Sequence, residues 1–189
     1  MLRYLSLSLL VCASLFLNGC DKNNQSKHEK SQQQRTKSNL ITLQGLDKKE
    51  YTFIKKENGL LLKDNGKILI IDIFATWCPP CQAESQVLSH LQEKYPNDIK
   101  IFGISVEENL PVEKLQAFKQ SHNAQYTFLI PNTQNKELIE YIASNVLHKS
   151  NNIPLPLVVI YKDGKLMHYY IGATEEEFIE SDIKQLRGK

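Results

Sequence analysis

Phe74-Ala75-Thr76-Trp77-Cys78-Pro79-Pro80-Cys81 is the stretch on which the fold turns. Ahead of it runs Ile68-Leu69-Ile70-Ile71, interrupted by Asp72 and resumed at Ile73, a hydrophobic segment of strand length. Behind it, Ala83, Val87, Leu88, Leu91 and Tyr95 fall largely at three- and four-residue steps, the spacing of one helix face. The two cysteines therefore stand at a strand-to-helix junction, Cys78 near the helix N-cap and Cys81 about one turn in. N–H groups at a helix N-terminus lack intrahelical partners and carry partial positive charge, which favours a thiolate over a thiol. A cysteine so placed falls below its free pKa of about 8.5 and becomes the attacking sulfur.

Pro79 and Pro80 fit the same geometry, because proline is tolerated in a first helical turn whose N–H groups have no partner. They also remove two amides that would otherwise solvate the Cys78 sulfur, leaving the Cys81 N–H as a donor.

Trp77-Cys78-Pro79-Pro80-Cys81 after a strand, with Asp72 six residues before the first cysteine, resembles the thioredoxin-fold proteins. The longer phrase from Phe74 to Cys81, with Glu84 three residues on, is similar to the TlpA/ResA-like membrane-anchored thiol–disulfide oxidoreductases. The likeness spans roughly residues 40–189. It implies that Cys78 attacks a substrate disulfide and Cys81 resolves the mixed disulfide. It also implies that Asp72 assists proton transfer at Cys81. A carboxylate inside an apolar run is costly unless paired or protonated, and burial raises its pKa. Trp77 is expected to shield the sulfurs and offer apolar contact surface, and Glu84 to be a supporting residue in the first helical turn.

The second half of the site is expected at Leu155-Pro156. Pro156 lies eight residues before Gly164, just ahead of a strand, and matches the family's cis-proline beside the C-x-x-C. A cis Leu155–Pro156 bond leaves the Leu155 backbone to pair with an incoming peptide near Cys78. Pro154 is the fallback candidate.

The remaining chain supports an α/β reading. Leu40-Ile41-Thr42-Leu43 and Tyr51-Thr52-Phe53-Ile54 read as short strands, and Asn58-Gly59 and Asn65-Gly66 as turns flanking Leu60-Leu61-Leu62. Ile99 to Ser105 reads as a buried strand and Pro111 to Ser121 as a helix with Val112, Leu115 and Phe118 inward. Tyr126 to Ile130 reads as a strand, and Lys136 to Leu147 as a helix in a connection longer than the family's usual spacing. Leu157 to Tyr161 and Lys165 to Ile171 flank Asp163-Gly164, a hairpin signal. Thr174-Glu175-Glu176-Glu177 reads as a capping box opening a last helix. The expected architecture is a thioredoxin-like three-layer sandwich, a central mixed β-sheet flanked by helices, with extra N-terminal strands.

Net charge at pH 7 is +2 over 189 residues. Arg3 supplies one positive charge and residues 21–39 a net three, so residues 40–189 carry two negative. The pI of 8.2 therefore reflects the N-terminal segment and is no argument for nucleic acid as a partner. That segment begins Met1-Leu2-Arg3, is mainly apolar from Leu5 to Leu17, and is shorter than the roughly 20 residues a spanning helix needs. Leu17-Asn18-Gly19-Cys20 resembles the bacterial lipobox, with Asn18 a departure. The expected plan is a signal peptide over 1–19, a lipidated Cys20 with a disordered polar tether over 20–39, and the thioredoxin-like domain over 40–189. An uncleaved anchor with Cys20 incidental is the other reading, and both place the domain outside the cytoplasm. The expected site is the periplasmic face of the bacterial inner membrane.

Of the four cysteines, Cys12 leaves with the signal and Cys20 takes the lipid, so Cys78 and Cys81 remain as a working redox pair. No other cofactor is expected. A zinc site needs a second ligand pair, and His90, His122, His148 and His168 are scattered. Covalent haem attachment needs His after Cys81, where Gln82 stands. A thiol peroxidase would want an Arg close to its cysteine, and only Arg187 lies beyond Arg3 and Arg35. The resemblance implies reduction of extracytoplasmic protein disulfides, apocytochrome c among the substrates, fed by a membrane thiol donor. The alternatives are an oxidase or isomerase, or a non-enzymatic lipoprotein with a structural Cys78–Cys81 bridge.

Overall fold

The computed structural model describes residues 39–149 and 151–188. The expected signal peptide, the lipidation at Cys20 and the tether up to residue 38 lie outside the described residues. In chain order the elements are β1 (Leu40–Gln44), β2 (Glu50–Lys56), β3 (Gly59–Leu62), β4 (Ile68–Phe74), α1 (Pro79–Lys94) and β5 (Ile99–Ser105). There follow α2 (Val112–Ser121), β6 (Thr127–Phe128), α3 (Thr133–Leu147), β7 (Leu157–Lys162), β8 (Lys165–Ile171) and α4 (Glu176–Arg187).

Five strands form the central sheet in the order β6-β5-β4-β7-β8. β4 runs parallel to β5 and antiparallel to β7, so the sheet is mixed. All seven residues of β4 are buried, which is why the run is hydrophobic on both faces. Strand alternation sends Ile68, Ile70 and Phe74 to one face, where they meet α1, α2 and α4 through Leu88, Leu91, Leu115, Phe118, Ile179 and Ile183. Leu69, Ile71 and Ile73 point to the opposite face, against Leu138 and Ile142 of α3 and against Ile41, Phe53 and Leu60 of β1–β3. Each such fully buried side chain contributes about 1.5–3 kcal/mol of hydrophobic free energy. The result is the three-layer α/β sandwich, with β1-β2-β3 as a separate antiparallel sheet on the α3 side.

The N-terminal sheet packs closely against the β7–β8 hairpin. A Cβ at Gly59 would lie 2.1 Å from the Gly164 carbonyl oxygen, so only glycine allows β3 this approach. The hairpin turns at Asp163-Gly164, as its sequence indicates.

Three local expectations need correction. The strand expected over Tyr126–Ile130 narrows to Thr127–Phe128, because the flanking residues bond elsewhere: the Ile130 N–H donates to the Gln44 carbonyl, and the Leu46 N–H to the Phe128 carbonyl. The end of β1 thus covers the outer edge of β6, where a bare strand edge would invite pairing with another chain. The capping box at Thr174 does not form, since Glu175 is the N-cap of α4 and makes no side-chain cap bond. The Thr174 hydroxyl donates to the Gly172 carbonyl instead. In α1, Ala83 is exposed and Val87 half-buried, while Glu84, Ser85 and Ser89 share the buried face with Leu88 and Leu91. The inward stripe of that helix is partly polar.

Candidate active site

The site is built where β4 ends and α1 begins. Cys78 is the N-cap of α1 in extended conformation, with Pro79 and Pro80 following, and its sulfur accepts from the Cys81 N–H at 3.3 Å. The remaining donor anticipated from the sequence is in place. Cys78 and Cys81 are joined as a disulfide, with Cα atoms 5.3 Å apart. Cys78 is 5% exposed and Cys81 1%, so an incoming sulfur reaches Cys78 more readily.

The loop before the cysteines is held by Glu107, at the end of β5. Its carboxylate accepts from the Thr76 N–H at 2.7 Å and from the Thr76 hydroxyl at 3.1 Å. The Thr76 carbonyl in turn accepts from the Gln82 side chain at 3.1 Å. With its backbone fixed on both sides, this loop presents Trp77 outward at 68% exposure. Trp77 is therefore not a core aromatic.

Leu155–Pro156 is a cis peptide bond, as the resemblance implied, whereas Pro154 does not carry one. Pro156 is buried and Leu155 half-buried against both halves of the core. The Pro156 carbonyl accepts from Gly172 N–H at 2.9 Å. Among the described residues, the Leu155 amide and carbonyl take part in no backbone hydrogen bond.

Asp72 and Glu84 form a pair of buried carboxyls, near enough for the charge of Glu84 to act on Asp72. Asp72 is 1% exposed and shares strand parity with Ile70 and Phe74, which places it in the layer that also holds Cys78, Cys81 and Tyr126. Its Oδ2 accepts from the Tyr126 hydroxyl at 2.7 Å, and its Oδ1 has no partner. Burial pushes this carboxyl up from 3.8 to about 7, opposed by the Tyr126 bond and reinforced by the charge of Glu84. Glu84 departs from expectation: it lies beyond the first turn of α1, and it is buried. Its Oε2 accepts from the Thr174 N–H at 2.8 Å, the amide the expected capping box would have used, while Oε1 is unpartnered. Burial raises Glu84 as well, to about 7, with the Thr174 bond opposing.

Tyr126 was not among the sequence candidates, and the signal that leads to it is Gly103. Gly103 stands directly across from Asp72 in the β4–β5 register. A Cβ there would come within 2.9 Å of the Phe128 ring and 3.1 Å of the Tyr126 ring. A glycine inside an otherwise apolar strand often marks such a close approach. Here the missing side chain lets Tyr126, stacked on Phe128 at 4.6 Å, reach over β5 to Asp72. Gly103→Ala is expected to cost about 1–3 kcal/mol through overpacking. It should cost more than Tyr126→Phe, which removes the hydrogen bond without a clash. Urea denaturation of both variants decides, and equal losses would refute the close-approach account.

The comparisons with known proteins agree with this geometry. A family model described as Redoxin matches residues 52–186. This chain belongs to the redoxin family. Among curated relatives, thioredoxin of Coprinus comatus is 43% identical to this redoxin over 114 residues, spanning 60% of the chain and 76% of that protein. The thiol:disulfide interchange protein DsbE of Tatumella citrea is 40% identical over 45 residues, 24% of this chain and 23% of its own length. Among solved structures, a thiol:disulfide interchange protein of the thioredoxin family from Chlorobium tepidum TLS superposes with a TM-score of 0.61 at 18% identity. It covers 78% of this chain and 92% of that one, and shows the shared fold. This redoxin is a thiol–disulfide oxidoreductase of thioredoxin fold. The non-enzymatic alternative, a merely structural bridge, is set aside by that membership.

Proposed function

We propose that this protein reduces disulfides of extracytoplasmic proteins, with Cys78 as nucleophile, Cys81 as resolving thiol and Asp72 as the proton acceptor for Cys81. The observation that carries the reading is the joint placement of a helix N-capping sulfur and a buried carboxyl poised near neutrality in one layer. In the dithiol form, the Cys78 thiolate attacks one sulfur of a substrate disulfide. A Cys78–substrate bond forms and the substrate S–S bond breaks, releasing one substrate thiolate that takes a proton from solvent. Cys81 then gives its proton to the Asp72 carboxylate and attacks the Cys78 sulfur, closing the Cys78–Cys81 disulfide and expelling the second substrate sulfur as a thiolate, which takes its proton from solvent. Two electrons pass from protein to substrate, and a membrane thiol donor restores the dithiol. The working group is the cysteine pair, with no metal or organic cofactor.

Trp77 and the free backbone of Leu155 form the peptide-contacting rim in this reading, with Pro156 packed behind. Pro79 and Pro80 limit the donors around the Cys78 sulfur to the Cys81 N–H. The direction rests on that dipeptide, which lacks the His of strongly oxidising relatives. The location rests on the N-terminal apolar run and the Leu17-Asn18-Gly19-Cys20 segment, read as a signal and a lipid attachment site. Apocytochrome c cysteines are among the proposed substrates.

The reduction potential of the full-length protein tests the direction. Trp77 is the only tryptophan and adjoins Cys78, so its fluorescence in thiol buffers reports the redox state. Thioredoxin-fold proteins span roughly −270 to −120 mV, with about 30 mV equal to 1.4 kcal/mol. A value near −270 mV is the expected result. One near −120 mV would make the protein an oxidant or isomerase.

A further inference from the structure

Asp72 makes a single side-chain hydrogen bond: its Oδ2 accepts from the Tyr126 hydroxyl, while Oδ1 is buried with no partner among the described residues. Separate features converge on the position of that hydroxyl. Gly103 leaves the gap over β5 that the ring crosses, and Phe128 stacks on the ring. The backbone of Tyr126 is held on both sides. Lys119 at the end of α2 donates through Nζ to the Ala124 carbonyl and to the Tyr126 carbonyl, the latter at 2.8 Å. The Gln125 N–H donates to the Oγ of Ser89 at 3.0 Å, and Ser89 is buried on α1, the helix that Cys78 caps. A half-buried cation and a glycine inside a central strand both weaken a fold. Here both serve to place one phenol.

We propose that Tyr126 is a positioning residue for closure of the mixed disulfide, holding Asp72 by Oδ2 so that Oδ1 is the oxygen left to receive the Cys81 proton. This rests on the exchange reading above, in which Asp72 is the acceptor, and adds the group that decides the pH at which it accepts. In the step, the Cys81 S–H bond breaks and its proton goes to Oδ1. The Cys81 sulfur forms its bond to the Cys78 sulfur as the Cys78–substrate bond breaks, and Tyr126 keeps its own proton throughout.

Only the ionised carboxylate can accept. Burial and the charge of Glu84 on α1 oppose that form, and the Tyr126 bond favours it, because a hydrogen bond to a charged acceptor is stronger than one to a neutral acid. Gly103 and Val158, directly across from Asp72 on β5 and β7, carry no titrating side chain, and Cys78 and Cys81 of α1 are joined as the disulfide. Burial, with the charge of Asp72, raises the Tyr126 phenol well above its ordinary value, so it remains a donor through the neutral range.

The test follows single-turnover reduction of a symmetrical aromatic disulfide by the reduced full-length protein, from about pH 5.5 to 9. Attack by Cys78 releases one chromophoric thiolate and closure by Cys81 releases the other, so two absorbance phases report the two steps. Tyr126→Phe keeps the ring and removes the hydroxyl. Its closing phase is expected to reach half the alkaline rate about one pH unit higher than the wild type. With Asp72 at about 7 in the wild type, that is a slowing of about fivefold near neutrality which fades towards pH 9, and the first phase is unchanged. Infrared titration of the protonated carboxyl band in the disulfide form, assigned by its loss in Asp72→Asn and its survival in Glu84→Gln, is expected to show the same upward shift without turnover. A band that does not move, or a slowing equal at every pH, would mean that the hydroxyl only satisfies a buried carboxyl, and would overturn the proposal. Asp72→Asn separates the two readings. If it closes as fast as the wild type, Asp72 is not the acceptor and both fall; if it closes slowly while Tyr126→Phe keeps the wild-type profile, the role of Tyr126 alone falls.

Discussion

Cys81→Ser is expected to convert the protein into a trap: it attacks a substrate disulfide normally and then holds the product as a mixed disulfide on Cys78. The helix N-terminus and the capping geometry of Cys78 do not depend on the Cys81 sulfur, because the donor to Cys78 is the Cys81 backbone N–H. What is lost is the thiol held one turn away, with Cα atoms 5.3 Å apart. A well-oriented intramolecular group acts at an effective concentration of about 10⁵ M or more. Millimolar external thiol is therefore a poor substitute, and release should slow by several orders of magnitude. Cys78→Ser behaves oppositely, since a serine hydroxyl is not ionised at neutral pH and turnover falls to the uncatalysed rate. Non-reducing electrophoresis of the two variants with a protein disulfide substrate distinguishes them: adducts with Cys81→Ser and none with Cys78→Ser. Adducts that accumulate instead on Cys81 in the Cys78→Ser protein would reverse the assignment.

The second large effect concerns stability against pH. Burial lifts Asp72 from 3.8 to about 7 and Glu84 from 4.5 to about 7. Between those values the unfolded chain has both carboxyls ionised and the folded protein holds them protonated, so folding takes up protons. The unfolding free energy must therefore fall as pH rises, by up to about 1.4 kcal/mol per unit for each group. The stability these groups supply is complete near pH 4 and lost as pH passes through 7. Asp72 alone accounts for a drop of about 4 kcal/mol across that window. Asp72→Asn carries no titrating group at this position, so its unfolding free energy, measured by urea titration from pH 4.5 to 8.5 with the disulfide intact, should exceed that of the wild type above pH 7. The difference between the two proteins should also grow with pH. A constant difference would mean that Asp72 does not titrate in this range. In the reductase reading, the same variant slows closure of the mixed disulfide while leaving the first attack by Cys78 intact.

The scaffold was legible because its signals are local. Apolar runs announced β4, β5, β6 and β7, with β6 shorter than its run, the Asp163-Gly164 turn announced β8, and Cys78-Pro79-Pro80-Cys81 marked the start of α1 through the chemistry of an unpaired helix end. Asp72 could be judged buried because hydrophobic residues stand on both sides of it. The surroundings of Asp72 were not legible in the same way. Glu84 looks like an ordinary helix-dipole residue until the fold brings Thr174, ninety residues away, to take its carboxylate. Tyr126 reaches Asp72 across 54 residues of sequence, and only the gap left by Gly103 indicates that anything passes there. The polar stripe of Glu84, Ser85 and Ser89 interrupts the helical pattern from which Ala83 was judged inward.

The order in which the halves of this site emerge during synthesis differs. β4 pairs with β5, 31 residues further on, but its other edge waits for β7, where Leu69 meets Tyr161 across 92 residues. Closing so long a loop is costly until the contacts it brings are made, so the β7 edge is expected to be completed late. The two cysteines, three residues apart, need no such closure to meet. The cysteine pair is thus local in the chain, whereas Leu155 and Pro156, just ahead of β7, take their place only once that edge closes.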